Sequence, residues 1–221
     1  MINSQVKEKI VKRMNILDIH THAPAPRPEA VVCAAPPDLP PREGEQLYSV
    51  GIHPWHLAEA DEGVWEALRG AAGRSDVVAI GETGIDLTRG LPLFRQMQAF
   101  KRHIDLSEAV GKPLVIHDVK AHDIIVGLRK ELQPQQAWII HGFRGKPTVA
   151  QMLLRAGCML SFGEKFNPEA LAIVPEEMLL AETDESPLPI ESIIGALSAS
   201  RGADITAAIA ANTSSVLGLD R

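Results

Sequence analysis

Histidine and carboxylate side chains recur in this chain at the ends of short apolar runs. Imidazoles and carboxylates are the ligands that suit Zn, Mn, Fe and, less readily, Mg. Two such ions about 4 Å apart can bind a hydroxide and hold both oxygens of an in-line displacement. The residues with this placement are His20, His22, Glu82, His117, His141 and Asp184. Together they predict two divalent metal ions and hydrolytic chemistry that uses a metal-bound hydroxide.

Each of these residues has a plainer interpretation when it is taken alone. A single His or Asp at a strand end is more often a hydrogen-bonded structural group, and in isolation we would favour that role for His117 or Asp184. His20 and His22, however, share one face of a strand and can reach one ion. Core packing would hardly place six such groups at strand ends, so the set favours a metal site.

The stretch 77–86 carries the central carboxylate of the set. Its Val- and Ile-rich start predicts a buried strand, and Glu82 follows between Gly81 and Gly84. Glycines at these positions would let the backbone bend closely around a charged centre. Asp86, which ends the stretch, is expected to support the site rather than to ligate an ion.

Three further side chains follow strand ends and are candidates for binding substrate. His53, in the run 51–55 (GIHPW), is either a substrate-facing donor or a stacked structural histidine, and we favour the donor. Arg144 has the guanidinium fork that suits an anionic oxygen. Lys165 follows a later strand end, although single cations are more often solvated. Three aromatic side chains could stack bases, with core packing as the default for each: Trp55, Phe143 and Phe166.

The remaining histidines and the two cysteines carry weaker signals. His56, His103 and His122 lie in loop or helix contexts and are expected at the surface or behind the site. Cys33 and Cys158 lie in apolar segments without a CxxC spacing. We therefore expect two buried thiols rather than a disulfide or a zinc cluster.

Strand and helix patterns alternate with short loops, which is typical of α/β architecture. Apolar runs predict strands at 16–22, 31–35, 48–53, 77–86, 114–117, 138–142, 159–163 and 178–184. They indicate a (β/α)8 barrel of the TIM type, in which the strand C-termini meet on one face and form the active site. The proline-rich pieces 23–30 and 36–46 do not look helical. The crossovers among strands one to three are therefore expected to be degenerate, and this side of the barrel distorted.

Helical spacing fills most of the other connections. Asp61 is expected to cap a helix before the strand at 77. Gly111 is expected to end a helix that carries Leu93 and Ile104. Further helices are expected at about 120–132, 147–157, 167–175, around 193–197 and 204–217.

The length and the net charge limit the number of domains and the kinds of partner. The 221 residues suffice for one barrel domain, expected at 14–221, after an extension at 1–13 that is a short helix or a start-site artefact. No apolar run reaches membrane-spanning length and no secretory signal is visible, so we expect no membrane association and a cytoplasmic location. The net charge of −6 argues against coating nucleic acid through bulk electrostatics. A monomer or small homo-oligomer is expected.

The motifs and their order along the chain resemble those of the TatD family of metal-dependent hydrolases, within the amidohydrolase-like barrel superfamily. The matching segments are 18–22 (DIHTH), 51–54 (GIHP), 81–86 (GETGID), 116–117 (IH), 141–143 (HGF), 161–163 (SFG) and 182–184 (ETD). The resemblance thus runs from Asp18 almost to the C-terminus. It implies a divalent-metal phosphodiesterase or deoxyribonuclease.

The resemblance also implies roles for the candidate residues. One ion would be held by His20, His22 and Asp184, the second by His117 and His141, and both by the bridging carboxylate of Glu82. Asp184 would in addition orient or deprotonate the attacking water. His53 would lie on the substrate side.

Three functions from different classes follow from these observations. The first is cleavage of phosphodiesters, with DNA ends as the expected substrate. The second is hydrolysis of a small ester, amide or lactone, which the same centre supports. The third is a non-catalytic barrel that binds metal or a partner, against which the intact ligand set speaks.

Overall fold

A single sheet of eight parallel strands forms the centre of the molecule. The computed structural model describes residues 16–42 and 44–220. Within these ranges the strand order follows the sequence, from β1 to β8. The chain is therefore the (β/α)8 barrel that the alternating pattern predicted. The extension expected at 1–13 lies outside the described residues, and the domain bounds stay a prediction.

All eight expected strands are present, and most are short. They are β1 (Asp18–Thr21), β2 (Ala30–Ala34), β3 (Leu47–Val50), β4 (Val77–Asp86), β5 (Leu114–Val119), β6 (Trp138–Ile140), β7 (Cys158–Phe162) and β8 (Leu179–Ala181). Strand β4 is the long exception, and all of its residues are buried. It pairs with β3 as far as Ile80 and with β5 from Ile80 to Asp86. Because β3 ends level with Ile80, Glu82 lies beyond its neighbour's last paired residue and faces the open end of the barrel.

Helices cover the barrel from β3 onward. They are α1 (Glu62–Ala72), α2 (Leu93–Val110), α3 (His122–Leu132), α4 (Pro147–Arg155), α5 (Pro168–Ala172), α6 (Ile190–Arg201) and α7 (Thr206–Val216). Their starts and stops follow the sequence signals. Asp61 accepts a hydrogen bond from the Val64 N–H at 3.0 Å, and Gly111 ends α2 in the left-handed conformation. None of the described helices is both long and apolar enough to cross a membrane.

The first two crossovers lack α-helices, as the proline-rich pieces predicted. Residues 22–29 join β1 to β2 without a helix, and only a 3-10 turn at Pro36–Asp38 lies between β2 and β3. Proline supplies no N–H for a helix interior, which explains the irregular path. Among residues 16–42 and 44–220, few elements therefore cover the barrel beside its first three strands.

The barrel closes between its first and last strands through few contacts. Thr21 and Asp184 form an isolated parallel bridge. The His22 N–H donates to the Asp184 carbonyl, and the Asp184 N–H donates to the His20 carbonyl, both at 3.0 Å. The backbone bonds that close the barrel thus belong to residues that carry candidate ligands.

Candidate metal centre

The carboxylate of Glu82 lies at the centre of five imidazoles. Its Oε1 is 2.7 Å from His117 Nδ1, 2.7 Å from His141 Nε2 and 3.0 Å from His53 Nε2. Its Oε2 is 3.0 Å from His22 Nε2 and 3.4 Å from His20 Nε2. The side chain is only 4% exposed. The two oxygens of one buried carboxylate therefore face two separate groups of histidines.

We call His20 and His22 the first group and the histidines around Oε1 the second group, and Asp184 lies beside the first group. Its Oδ1 is 3.7 Å from His22 Nε2 and 4.0 Å from His20 Nε2. It lies three residues after the end of β8, in a left-handed backbone conformation with φ of 52°. The structure thus brings together all six ligands expected from the sequence, contributed by β1, β4, β5 and the segments after β6 and β8.

His20 shows most clearly that the pocket suits a cation. The side chain is fully buried, and neither ring nitrogen has a hydrogen-bond partner among the described residues. An unpaired buried nitrogen is costly unless something satisfies it. Its Nε2 faces Glu82 and Asp184, so a divalent ion held there would supply the missing partner. The donor set of imidazoles and carboxylates fits such an ion.

The charges of the cluster are arranged to favour a deprotonated Glu82. Burial opposes its ionisation, but the neighbouring imidazoles, His141 and His117 foremost, outweigh burial and hold the pKa of Glu82 well below its usual value. Burial likewise lowers the pKa of His141, yet Glu82 and Glu182 raise the pKa of that imidazole well above normal. Without an ion, the carboxylate thus balances positive charge on His141. Metal binding would release that proton.

Glycines let the neighbouring strands approach Glu82 closely. Gly84 has φ of 147°, which L side chains rarely adopt, and a Cβ there would overlap the His117 carbonyl. A Cβ on Gly51 would approach the backbone of Gly81 and the Glu82 carbonyl at 2.7 Å. A side chain at either position would therefore push β3 or β5 away from β4.

Asp18 fixes the two chain segments that carry the first group of ligands. Its Oδ1 accepts hydrogen bonds from the N–H of Thr183 at 3.0 Å and of His20 at 3.3 Å, and its Oδ2 pairs with the Thr183 hydroxyl at 2.6 Å. Burial raises the pKa of Asp18 to about 7 despite these bonds. The sequence motif contains this residue, but sequence reasoning gave it no role.

Glu182 supports the second group of ligands in a similar way. The carboxylate is fully buried and its Oε1 lies 3.3 Å from His141 Nδ1. The same oxygen accepts from the Gly142 N–H at 2.6 Å. A carboxylate on the far nitrogen fixes the tautomer and orientation of a ligating histidine. His141 therefore offers Nε2 to the site.

Asp86 supports His117 from behind, in the position that the sequence suggested. Its Oδ2 lies 3.4 Å from His117 Nε2 and accepts from the Trp55 indole N–H at 2.8 Å. Burial opposes its ionisation, but hydrogen bonds from Thr88 and Trp55 outweigh burial and lower the pKa of Asp86 to about 2. It therefore stays charged and leaves Nδ1 of His117 free to face Glu82.

The expected substrate-binding residues fall into two places. His53 lies inside the cluster, with Nε2 3.3 Å from His117 Nδ1, where it could ligate an ion as well as meet substrate. Arg144 lines both the main cavity of about 550 Å³ and a neighbouring cavity of about 300 Å³. Lys165 lines the smaller cavity, together with Asp184. Arg144 and Lys165 thus form a cationic border beside the ligands.

The aromatic residues separate into one at the site and two in the core. Trp55 lines the main cavity and is 37% exposed. The Arg89 guanidinium lies 4.0 Å from the centre of its ring. Phe143 is buried against Phe162, and Phe166 packs against the core. Only Trp55 of the three is placed to stack on a ligand.

One expectation about the minor residues needs correction, and for another the structure favours one of two alternatives. Cys33 is half-buried and lines the main cavity instead of lying in the core, because no helix covers the end of β2. His103 is fully buried, with no exposed surface. Its Nδ1 donates to the Ala99 carbonyl at 2.8 Å and its Nε2 accepts from the Ile52 N–H at 3.0 Å. It therefore holds the residue that precedes His53.

A parallel barrel with a histidine–carboxylate cluster at the C-terminal ends of its strands defines the class of this protein. Such barrels place their functional groups at this face. The cluster has the composition of a divalent-metal site. The class is thus an α/β barrel of the metal-binding kind.

The chain belongs to the TatD-related DNase family, whose model matches residues 41–192. The match begins after β2, so His20 and His22 precede it. Among curated proteins, a metal-dependent hydrolase of Buchnera aphidicola subsp. Baizongia pistaciae is 33% identical over 159 residues, 66% of this chain and 60% of that protein. A 3'-5' ssDNA/RNA exonuclease TatD of Pantoea ananatis is 33% identical over 148 residues, 62% of this chain and 56% of that protein.

A solved structure supports the fold assignment. The crystal structure of YjjV, a TatD homolog from Escherichia coli K12, has a TM-score of 0.76 and 20% sequence identity, and the match covers 92% of this chain and 98% of that one. By contrast, the matched regions span 60% or less of the two curated relatives. The likeness to YjjV supports the fold, and the family assignment rests on the family model that matches residues 41–192.

Proposed function

We propose that this protein is a divalent-metal-dependent phosphodiesterase that hydrolyses the ends of nucleic acid strands, with DNA as the expected substrate. The observation that carries the proposal is that the two carboxylate oxygens of Glu82 face different imidazoles. Oε1 contacts one group and Oε2 contacts the other. A bridging carboxylate between two ligand groups suits two ions. The exonuclease name of the Pantoea ananatis relative supports a nucleic acid substrate.

In this proposal the two ions are held by the six expected ligands. His20, His22 and Asp184 would hold one ion, and His117 and His141 the other, with Glu82 shared between them. When bound, the ions supply Lewis acidity that lowers the pKa of water and neutralises charge on the phosphate. The donor set suits Zn, Mn, Fe and, less readily, Mg.

The chain's own groups would bind substrate and move the proton. Arg144 and Lys165 border the cavities beside Asp184 and would hold the non-bridging oxygens of a phosphate. Asp184 is partly exposed and would orient the attacking water and accept its proton. Trp55 is placed to stack on the terminal base. A cytoplasmic location and a monomer or small homo-oligomer stay predictions.

A second candidate function has its own support in the main cavity. Its outer wall carries Asp38 and Glu59 together with Pro36, Ala60 and Val64. An apolar wall with carboxylates repels a run of phosphates and would accept a small neutral ester, amide or lactone. This function requires the same metal centre.

Glu82→Gln tests the metal mechanism that both candidates share, and a substrate panel separates the two. Metal-loaded wild-type protein should degrade single-stranded DNA faster than ester or lactone substrates. Glu82→Gln should lose at least one equivalent of metal and about 10³-fold in rate, since the ions supply several kcal/mol. Glu59→Gln, in the outer cavity wall, is the matched control and should retain its metal. Full activity of Glu82→Gln would overturn the metal mechanism, and activity on esters alone would favour the second candidate.

A further inference from the structure

A cysteine lies beside the first group of ligands, on the strand next to them. Cys33 is in β2, which pairs with β1, the strand of His20. It lines the main cavity together with His22 and Glu82. The ligand set implied by the family resemblance contains no sulfur.

The distances permit all four side chains to meet one ion. One ligand atom each from His20, His22, Cys33 and Glu82 lies within 4.8 Å of the others. In a tetrahedral zinc site the sulfur and nitrogen ligands are about 3.5 Å apart, given Zn–S and Zn–N bonds of about 2.3 and 2.0 Å. Movements of about an ångström in side-chain positions would therefore complete the site.

Two observations separate Cys33 from an ordinary cavity-lining thiol. Its Sγ lies 3.9 Å from the Gly81 carbonyl, which is a weak contact. The fully buried His20 in the same group makes no hydrogen bond through either ring nitrogen among the described residues. The group thus places a thiol beside a buried imidazole whose nitrogens are available to an ion.

We infer that Cys33 is a thiolate ligand to the ion held by His20 and His22. On binding, the S–H bond breaks, the proton passes to solvent and the sulfur forms the bond to the ion, so no oxidant or reductant is needed. Thiolate favours Zn, Co, Fe or Cd over Mg or Mn. The first ion site of this chain is therefore selective for the softer metals, and Asp184 faces the same histidines from another direction.

Cobalt reports directly on sulfur ligation. The full chain is freed of metal and titrated with Co²⁺, and the near-ultraviolet spectrum is recorded for a sulfur-to-cobalt charge-transfer band. Wild-type protein and Cys158→Ala, which lacks the other cysteine, should both show the band with the first equivalents of cobalt. Cys33→Ser and Cys33→Ala should lack it while still binding cobalt, as seen in the visible d–d bands.

Metal selectivity provides the second readout. Cys33→Ser should weaken Cd²⁺ binding by about 100-fold, at the upper end of the cost of losing a group that tunes a metal site, and leave Mn²⁺ affinity nearly unchanged. Bound Zn²⁺ should also protect Cys33 from alkylation in the Cys158→Ala protein.

The outcomes distinguish this inference from the proposed function, on which it rests only in requiring a bound ion. Cobalt bound by the wild type without a charge-transfer band overturns the thiolate ligand and leaves the metal site intact. A charge-transfer band that persists in Cys33→Ser also overturns the thiolate ligand and leaves the metal site intact. A wild-type protein that binds no metal at all overturns both.

Discussion

The carboxylate of Asp18 joins β1 to the segment after β8 by pairing with both the backbone N–H and the hydroxyl of Thr183, at 3.0 and 2.6 Å. The two residues are 165 positions apart, and Asp18 is 2% exposed. Among the described residues, the backbone joins β1 to the segment after β8 through one isolated bridge, made of two hydrogen bonds. The hydrogen bonds between Asp18 and Thr183 therefore help to close the barrel at the point where His20 and Asp184 face each other.

Removing this carboxylate should destabilise the barrel. Asp18→Ala leaves the N–H groups of Thr183 and His20 without their acceptor, and we expect a loss of about 3 kcal/mol in the free energy of unfolding. Urea denaturation of the metal-free protein at pH 7 measures it. Thr183→Val, which keeps the N–H bond and removes only the hydroxyl, should cost less than half as much. Equal costs for the two variants would contradict a special role for the backbone bonds.

Glu182→Gln should weaken metal binding without unfolding the protein. The amide keeps one oxygen for the Gly142 N–H but removes the charge that faces His141 Nδ1. Loss of such a supporting carboxylate typically lowers metal affinity by about 10–100-fold. Isothermal titration with Zn²⁺ measures the change. Glu164→Gln, on the exposed rim of the smaller cavity, is the control, and a Glu182 variant that matches it would show that the carboxylate does not orient the histidine.

Arg144 should matter for anionic substrates only. Arg144→Gln removes a charged donor from the border of both cavities, and we expect kcat/KM on single-stranded DNA to fall by about 10–100-fold, the value of a charge-assisted hydrogen bond. The dependence of KM on salt should become weaker as well. Activity on a neutral ester should stay within a factor of two. The control is Arg155→Gln, at the exposed end of α4. A similar loss on both substrate types would mean that Arg144 supports the fold rather than the phosphate.

His103 should make the protein less stable in mild acid. Burial lowers the pKa of His103 to about 4, although its bond to the Ala99 carbonyl acts in the opposite direction. The unfolded chain, with the ordinary pKa of 6.5, binds the proton more readily. The contribution is therefore fully present above pH 6.5 and is lost as the pH falls toward 4, by about 3 kcal/mol in total.

Urea denaturation between pH 4.5 and 7.5 tests this contribution. His103→Gln keeps an oxygen acceptor for the Ile52 N–H and does not titrate, so its stability should fall less steeply in acid than that of the wild type. The comparison cancels titration of the metal-site groups, which both proteins share. Parallel pH profiles would contradict the assignment.

The sequence was sufficient for the architecture and for predicting which polar side chains meet at the strand ends. Alternation of apolar runs with helical spacing predicted all eight strands, and Pro-rich composition predicted the missing helices after β1 and β2. Polar residues at strand ends predicted which side chains meet, because parallel strands point the same way. Asp61 and Gly111 marked helix ends through local hydrogen bonding, which depends on neighbours in sequence alone.

The supporting residues could not be predicted in the same way. Asp18 and Glu182 act through partners that are near only after the barrel closes, and a buried carboxylate looks like any other acid in the sequence. His103 lies in the middle of α2, where the sequence shows a polar residue but not the Ile52 N–H that it accepts from. Cys33 looked like a core residue since its neighbours are apolar, and only the missing helix after β2 exposes it to the cavity.

The connection after β2, which lacks an α-helix, separates the substrate-facing wall of the cavity from the side chains of the candidate metal site. The wall formed by Pro36–Asp38 belongs to a connection that contributes no candidate ligand and no α-helix. We expect exchanges at the exposed Pro37 and Asp38 to leave β4 and the side chains around Glu82 in place. For protein engineering, these two positions allow substrate range to be diversified in a library while the metal chemistry is held constant.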